Sequence, residues 1–193
     1  MDLSIDFEVP TWNQIYEMLQ TQAKKIKKSN FQPEIIIAIA CGGLVPARIL
    51  MDLLEIKNFA VIQIEYYEGI NRPGKEPVLK QGLNVKIAGK KTLLVDDVSD
   101  LGKSLQLAKN YLQKQEVAEI KTATIYVKPK TSVVPDFFEK LTSSWIVFPW
   151  DAKENLRKIQ TQNPSERDVN QQLTKLVKAG FPEQLVEKLS TDS

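Results

Sequence analysis

Two adjacent carboxylates, Asp96 and Asp97, end a short apolar run, and Asp100 then opens a Leu101-Gly102-Lys103-Ser104 turn that leads into a helical pattern. A strand with an acidic tip, followed by a small-residue turn at a helix start, can serve two chemistries at once. Its carboxylates can accept hydrogen bonds from vicinal sugar hydroxyls. Its turn amides, backed by the helix dipole, can cradle a phosphate. The same two carboxylates would also suit a metal ion or a like-charged pair, and Asp100 would suit a helix cap in a solvated loop. Lys103 reads equally well as a plain surface lysine. The Gly-x-x-x-x-Gly-Lys-Ser/Thr spacing is missing, so the segment is not a P-loop.

Two further strand ends carry residues of interest. Ala40-Cys41-Gly42-Gly43 follows an isoleucine run. Paired glycines let a backbone approach a ligand closely and turn its amides toward an anion, or they simply make a tight turn into a helix. The third place is shared by Val127-Lys128-Pro129 and by Trp145-Ile146-Val147-Phe148-Pro149-Trp150-Asp151. Aromatic residues there are ordinary core or interface material. Beside a phosphate cradle they can also stack on a base, and Lys128 can donate to a carbonyl oxygen of that base.

Composition narrows the chemistry. The 193-residue chain has no histidine and one cysteine, Cys41. That excludes His-based triads and metal sites, an intramolecular disulfide framework and a thiolate zinc cluster. Catalysis would fall to carboxylates, lysine, backbone amides or an oxygen-held metal. The 26 basic and 24 acidic residues leave a net charge of +2, too balanced for a nucleic-acid or membrane surface. The acidic N-terminus is not a signal peptide, and no apolar run is long enough to span a bilayer. A cytoplasmic protein that binds neither nucleic acid nor membrane is expected.

The elements that must position these residues follow from periodicity. Trp12, Ile15, Leu19, Ala23 and Ile26 space a helix over about 11–28. The run 35–39 reads as a strand covered on both faces, with Pro46 in the first turn of the helix after it. Strands are expected over 59–65, 92–95, 121–127 and 144–148, and a helix over 104–113. Residues 66–85, rich in Gly and Pro, suggest a lid or a long hairpin. The order predicts an α/β domain over 1–151, a mainly parallel twisted sheet flanked by helices. Residues 152–193 read as a helical C-terminal appendage, with helices over 169–179 and 183–189.

Taken together, the segment 95–104, the Gly42-Gly43-Leu44-Val45-Pro46 turn, Lys128-Pro129 and Trp145 through Asp151 resemble the type I phosphoribosyltransferases. Within that family they look like the 6-oxopurine branch (xanthine, guanine, hypoxanthine) of bacterial and archaeal type. The resemblance covers roughly residues 10–155. It implies the type I phosphoribosyltransferase fold with a flexible hood over 66–85, and transfer of a phosphoribosyl group from phosphoribosyl pyrophosphate to a purine base, with Mg²⁺. Alternatives on the same fold are a non-catalytic regulator that senses phosphoribosyl pyrophosphate and an enzyme for another base.

The resemblance also implies a role for each position. Asp96 and Asp97 would accept the ribose 2- and 3-hydroxyls, with Mg²⁺ near them through substrate and water. Asp100 would face the purine N7 as proton acceptor or donor. Leu101, Gly102, Lys103 and Ser104 would hold the 5-phosphate, while Cys41, Gly42 and Gly43 would bind pyrophosphate. Lys128 would bond O6, Trp145 would stack on the ring, the Ile146 backbone would read the base edge, and Asp151 would be a further base-binding residue. A cis Ala40–Cys41 peptide and a homodimer or homotetramer are further expectations. Two positions depart from the family: Cys41 replaces the usual arginine or lysine, and Leu101 replaces a common threonine.

Overall fold

The computed structural model describes residues 5–68, 75–163 and 165–191. In chain order, β1 (Phe7–Glu8), α1 (Trp12–Lys28), β2 (Ile35–Ala40), α2 (Leu44–Leu54), β3 (Phe59–Glu68) and β4 (Lys75–Gln81) come first. Next are β5 (Lys91–Val95), β6 (Val98–Ser99), α3 (Lys103–Gln113), β7 (Glu119–Ala123), β8 (Tyr126–Val127), β9 (Lys140–Leu141) and β10 (Trp145–Ile146). The chain ends with α4 (Ala152–Gln162), α5 (Glu166–Lys178) and α6 (Glu183–Thr191). These elements fall into two compact units, Tyr16–Thr142 and Met1–Ile15 with Ser143–Ser193.

The larger unit is built on a sheet in the order β4-β3-β2-β5-β7. Pairing is parallel from β3 to β7, and β4 joins β3 antiparallel at the edge. The β-branched run of β2 is central because it can be buried on both faces. Ile35, Ile37 and Ile39 pack with Ile62, Leu94 and the α3 residues Leu105, Ala108 and Leu112. Ile36 and Ala38, which alternate to the opposite face, are fully buried too. The amphipathic spacing read in α1 is met from its second position on: Ile15, Leu19, Ala23 and Ile26 are all buried, whereas Trp12 is exposed.

One expectation is met in its hairpin form, and two need correction. The 66–85 stretch is a long hairpin for much of its length, because Tyr66 pairs with Pro77 and Ile64 with Leu79. Pro77 is tolerated because β4 is an edge strand; the hairpin tip, 69–74, lies outside the described residues.

The strand expected over 121–127 is broken at 124–125. There the Asp97 carbonyl accepts from both Ile125 N and Tyr126 N, at 3.0 and 3.1 Å, and draws the chain off the main sheet. Buried Gln22 covers the break by donating to the carbonyls of Thr124 (2.7 Å) and Phe137 (3.3 Å). The chain then enters a small parallel sheet, β6-β8-β9.

The strand expected over 144–148 is only Trp145–Ile146, and it pairs with an N-terminal strand that the sequence reading missed.

In the smaller unit, Val147, Leu156, Ile159, Leu176 and Phe181 form the core, with Phe7, Val9 and Trp145 packed against it. Helix α4 was not anticipated. Ser165 caps α5 by accepting from Asp168 N at 3.2 Å. Among the described residues no helix is long and apolar enough to cross a membrane.

Candidate active site at the carboxyl ends of the strands

Strand order decides where a ligand can sit. The chain leaves β2 through α2 to β3 on one side, and leaves β5 through α3 to β7 on the other. The carboxyl ends of β2 and β5 therefore flank a topological switch point, where open α/β sheets form a crevice. Both carry the residues singled out above: the Cys41-Gly42-Gly43 turn follows β2, and Asp96-Asp97 follows β5.

The two ends fit closely. A Cβ on Gly42 would lie 2.3 Å from Asp97 Oδ2, and one on Gly43 would lie 2.3 Å from the Val95 carbonyl and 2.8 Å from that of Ile39. Only glycine lets this turn close against the acidic tip. The Ala40–Cys41 peptide is cis, as the resemblance implied, and Cys41 is exposed.

The acidic tip is held by backbone bonds. Asp96 N donates to the Ala123 carbonyl at 3.0 Å, and the Asp96 carboxylate accepts from Asp97 N at 3.0 Å. Burial pushes the Asp96 carboxyl well above the usual carboxylate range, and the neighbouring Asp97 charge pushes it further; the Asp97 amide opposes both only in part. A half-buried acid in this condition gains from a ligand that brings hydroxyl donors or positive charge.

Beyond the tip, β6 aligns with β8, and this register ties the turn to Lys128: Lys128 N donates to the Ser99 carbonyl at 3.0 Å. The turn itself is braced from outside. The Leu101 carbonyl accepts from Ser132 N at 3.2 Å and from Ser132 Oγ at 2.8 Å. Gly102 sits at φ 78°, and a Cβ there would meet Val133 N at 2.7 Å. It precedes α3 without any side-chain cap. The first intrahelical bond runs from Gln106 N to the Gly102 carbonyl at 2.9 Å, so the amides of Lys103, Ser104 and Leu105 precede the helical ladder. An uncapped, glycine-led helix start of this kind favours an anion.

The alternative reading of Asp100 as a helix cap does not hold, because Gly102 takes the N-cap position of α3. Asp100 is exposed, with Lys130 Nζ 3.4 Å from its Oδ1. A cleft of about 570 Å³ opens over Asp96, Ser99, Asp100 and the turn through Ser104. Tyr66 and Glu76 from the β3–β4 hairpin line it as well. The sequence reading named the hairpin but not these two side chains; the signal was a tyrosine pair at the end of an apolar strand.

The remaining candidates belong to the smaller unit. Trp145 is fixed by its indole N–H, which donates to Asn155 Oδ1 at 2.6 Å, and Lys158 Nζ lies 5.8 Å from its ring centroid. Ile146 is buried, and its strand neighbours Trp145 N and Val147 N donate to Asp6 and Glu8 carbonyls. Asp151 starts α4, its carbonyl accepting from Asn155 N at 3.0 Å and from Asn155 Nδ2 at 3.1 Å. Phe148 and Trp150 stack on each other at 4.6 Å, the ordinary aromatic-packing role.

Comparison with known proteins identifies the family. Residues 11–155 match the phosphoribosyl transferase domain family. Xanthine phosphoribosyltransferase 1 of Saccharomyces cerevisiae is 29% identical over 186 residues, which covers 75% of this chain and 89% of the yeast protein. Xanthine-guanine phosphoribosyltransferase of Desulfotalea psychrophila is 32% identical over 145 residues, covering 74% and 85%. The crystal structure of purine phosphoribosyltransferase from Pyrococcus horikoshii superposes with a TM-score of 0.69 at 37% identity, over 76% of this chain and 94% of that one. The chain belongs to the phosphoribosyl transferase domain family.

Proposed function

We propose that this protein is a purine phosphoribosyltransferase, joining a 6-oxopurine to the phosphoribosyl group of phosphoribosyl pyrophosphate and releasing pyrophosphate. The observation that carries the reading is the pairing of an uncapped helix start with an acidic strand tip at the switch point. The first suits a 5-phosphate and the second suits ribose hydroxyls, at opposite ends of one phosphorylated sugar. The related enzymes named above supply the base class.

In this reading a base nitrogen forms a bond to ribose C1 as the bond from C1 to the pyrophosphate oxygen breaks. Asp96 and Asp97 accept the 2- and 3-hydroxyls and fix the sugar. The amides of Leu101 to Ser104 hold the 5-phosphate, with the Ser104 side chain beside it. Asp100 takes or returns the proton at N7 of the purine, and the Cys41–Gly43 amides receive the leaving pyrophosphate. Lys128 bonds O6, and Trp145, Ile146 and Asp151 are proposed as base contacts. The hairpin excludes water that would otherwise capture the sugar cation.

Among the described residues no group of three or more His, Cys, Asp or Glu is placed to hold a metal. The adjacent Asp96 and Asp97 still fit Mg²⁺, which commonly takes one or two carboxylates and completes its shell with substrate oxygens and water. Bound there, the ion supplies positive charge against the charge developing on pyrophosphate. The test is pyrophosphate release from phosphoribosyl pyrophosphate and Mg²⁺ with xanthine, guanine, hypoxanthine or adenine in turn. Release with a 6-oxopurine supports the proposal. Release with none of them, despite binding of phosphoribosyl pyrophosphate, replaces it with a sensing role.

A further inference from the structure

Both strands of the β3–β4 hairpin reach the phosphate cradle. From β3, Tyr66 brings its hydroxyl 3.1 Å from Ser104 Oγ, with Ser104 as donor. From β4, Glu76 Oε1 accepts from Lys103 Nζ at 2.8 Å. All four residues line the same cleft.

Proton accounting gives these contacts a direction. A serine hydroxyl has one proton, and Ser104 spends it on Tyr66. The phenol oxygen is thereby engaged as an acceptor while its own O–H remains to be given to a third group. An anion at the start of α3 is the natural recipient, since a charge-assisted O–H bond is stronger than a neutral one. Leu101 lines the same cleft and brings no hydroxyl of its own. A donor from the hairpin would make up for it. Glu76, by contrast, carries a charge that repels a phosphate, and Lys103 holds it neutralised at the rim.

We infer that Tyr66 is a ligand of the substrate's 5-phosphate, donated by the hairpin and oriented by Ser104. The inference rests on the phosphoribosyltransferase reading. It makes the hairpin part of the binding site as well as a cover over it. The Glu76–Lys103 pair keeps the rim neutral, and the phenol makes the contact.

The experiment measures equilibrium binding of phosphoribosyl pyrophosphate and of pyrophosphate alone, both with Mg²⁺, to the full chain and to Tyr66→Phe and Glu76→Gln. Tyr66→Phe keeps the ring and removes one donor to a charged group. It should weaken phosphoribosyl pyrophosphate roughly ten- to a hundredfold, leave pyrophosphate unchanged and leave the melting temperature unchanged. Glu76→Gln, which removes the repelling charge, should bind phosphoribosyl pyrophosphate at least as tightly as the parent. Equal loss in both variants would make hairpin docking the cause and overturn the inference, as would undiminished binding by Tyr66→Phe. Failure of the parent protein to bind phosphoribosyl pyrophosphate at all would instead sink the functional reading beneath it.

Discussion

The Cα of Gly42 sits so close to the Asp97 carboxylate that a methyl group there would fall 2.3 Å from Oδ2 and 2.5 Å from Cγ. What gives way in Gly42→Ala is the end of a side chain, so the fold should survive and the carboxylate should move. In Gly43→Ala the obstacles are backbone, the carbonyls of Val95 and Ile39. We expect Gly42→Ala to melt near the parent temperature with kcat/KM down more than about tenfold, a misplacement effect. Gly43→Ala should instead lose about 1–3 kcal/mol or more of stability by overpacking. Denaturant unfolding and steady-state kinetics on the pair separate the two outcomes, and the reverse pattern would contradict this account of the turn.

Asp100 stands at the head of the phosphate turn, exposed and ion-paired with Lys130 across 3.4 Å. A proton carrier at that place should matter for turnover more than for binding. Asp100→Asn preserves size but cannot carry the proton, and should lower kcat by about 10²–10⁴ while the Kd for phosphoribosyl pyrophosphate changes little. Undiminished turnover in the variant would remove Asp100 from the chemistry.

The parts of this molecule that the sequence made legible are those with local causes. The isoleucine run of β2 is central because β-branched residues buried on both faces have few other places to go. The Asp96–Ser104 segment could be read because strand, acidic tip, glycine and helix lie within fourteen residues of one another. What stayed hidden depends on distant partners. Nothing local marks the break after Ala123, which is made by one carbonyl, that of Asp97, together with Gln22 more than a hundred residues away. Trp145–Ile146 could not be assigned to a sheet without Phe7–Glu8, a two-residue strand too short to show periodicity. The tyrosine pair was a local hint, but what makes Tyr66 and Glu76 site residues is the hairpin register that brings them to Lys103 and Ser104, a tertiary fact.

Cys41 and Leu101 are the two positions where the cradle is poorer than the resemblance leads one to expect. Each is exposed, so a larger or more polar side chain has room. Leu101→Thr should add one donor to a charged oxygen and tighten phosphoribosyl pyrophosphate by about tenfold at most, and Cys41→Arg should tighten free pyrophosphate by a similar factor. Calorimetric titration with each ligand resolves the two, because Leu101→Thr should leave pyrophosphate alone. Weaker binding in either variant would mean that the existing residue is already the better fit.

Asp96 and Asp136 should respond to pH with opposite signs. Burial raises Asp136, yet the Thr122 amide, the Lys121 ammonium and the Thr122 hydroxyl outweigh it, and its folded pKa ends below 3.8. The stability it contributes is present above the unfolded value and is lost as pH falls through the folded one. Asp96 is the reverse: its folded pKa lies well above 3.8, chiefly through burial and then through Asp97. The folded protein holds that proton more tightly than the unfolded chain does. Ionised Asp96 therefore costs stability, and the cost grows as pH rises from the unfolded value through the raised folded one. Asp96→Asn should raise the melting temperature at pH 7, by roughly 2–4 °C for each kcal/mol relieved, with the gain vanishing below about pH 4. Asp136→Asn should lower it at pH 7, with that loss also closing in acid. Saturating phosphoribosyl pyrophosphate with Mg²⁺ should stabilise the parent far more than Asp96→Asn, since the partly desolvated charge is what the ligand relieves. Melting curves from pH 4 to pH 8, with and without ligand, check each sign, and an Asp96→Asn variant less stable than its parent at pH 7 would refute the assignment.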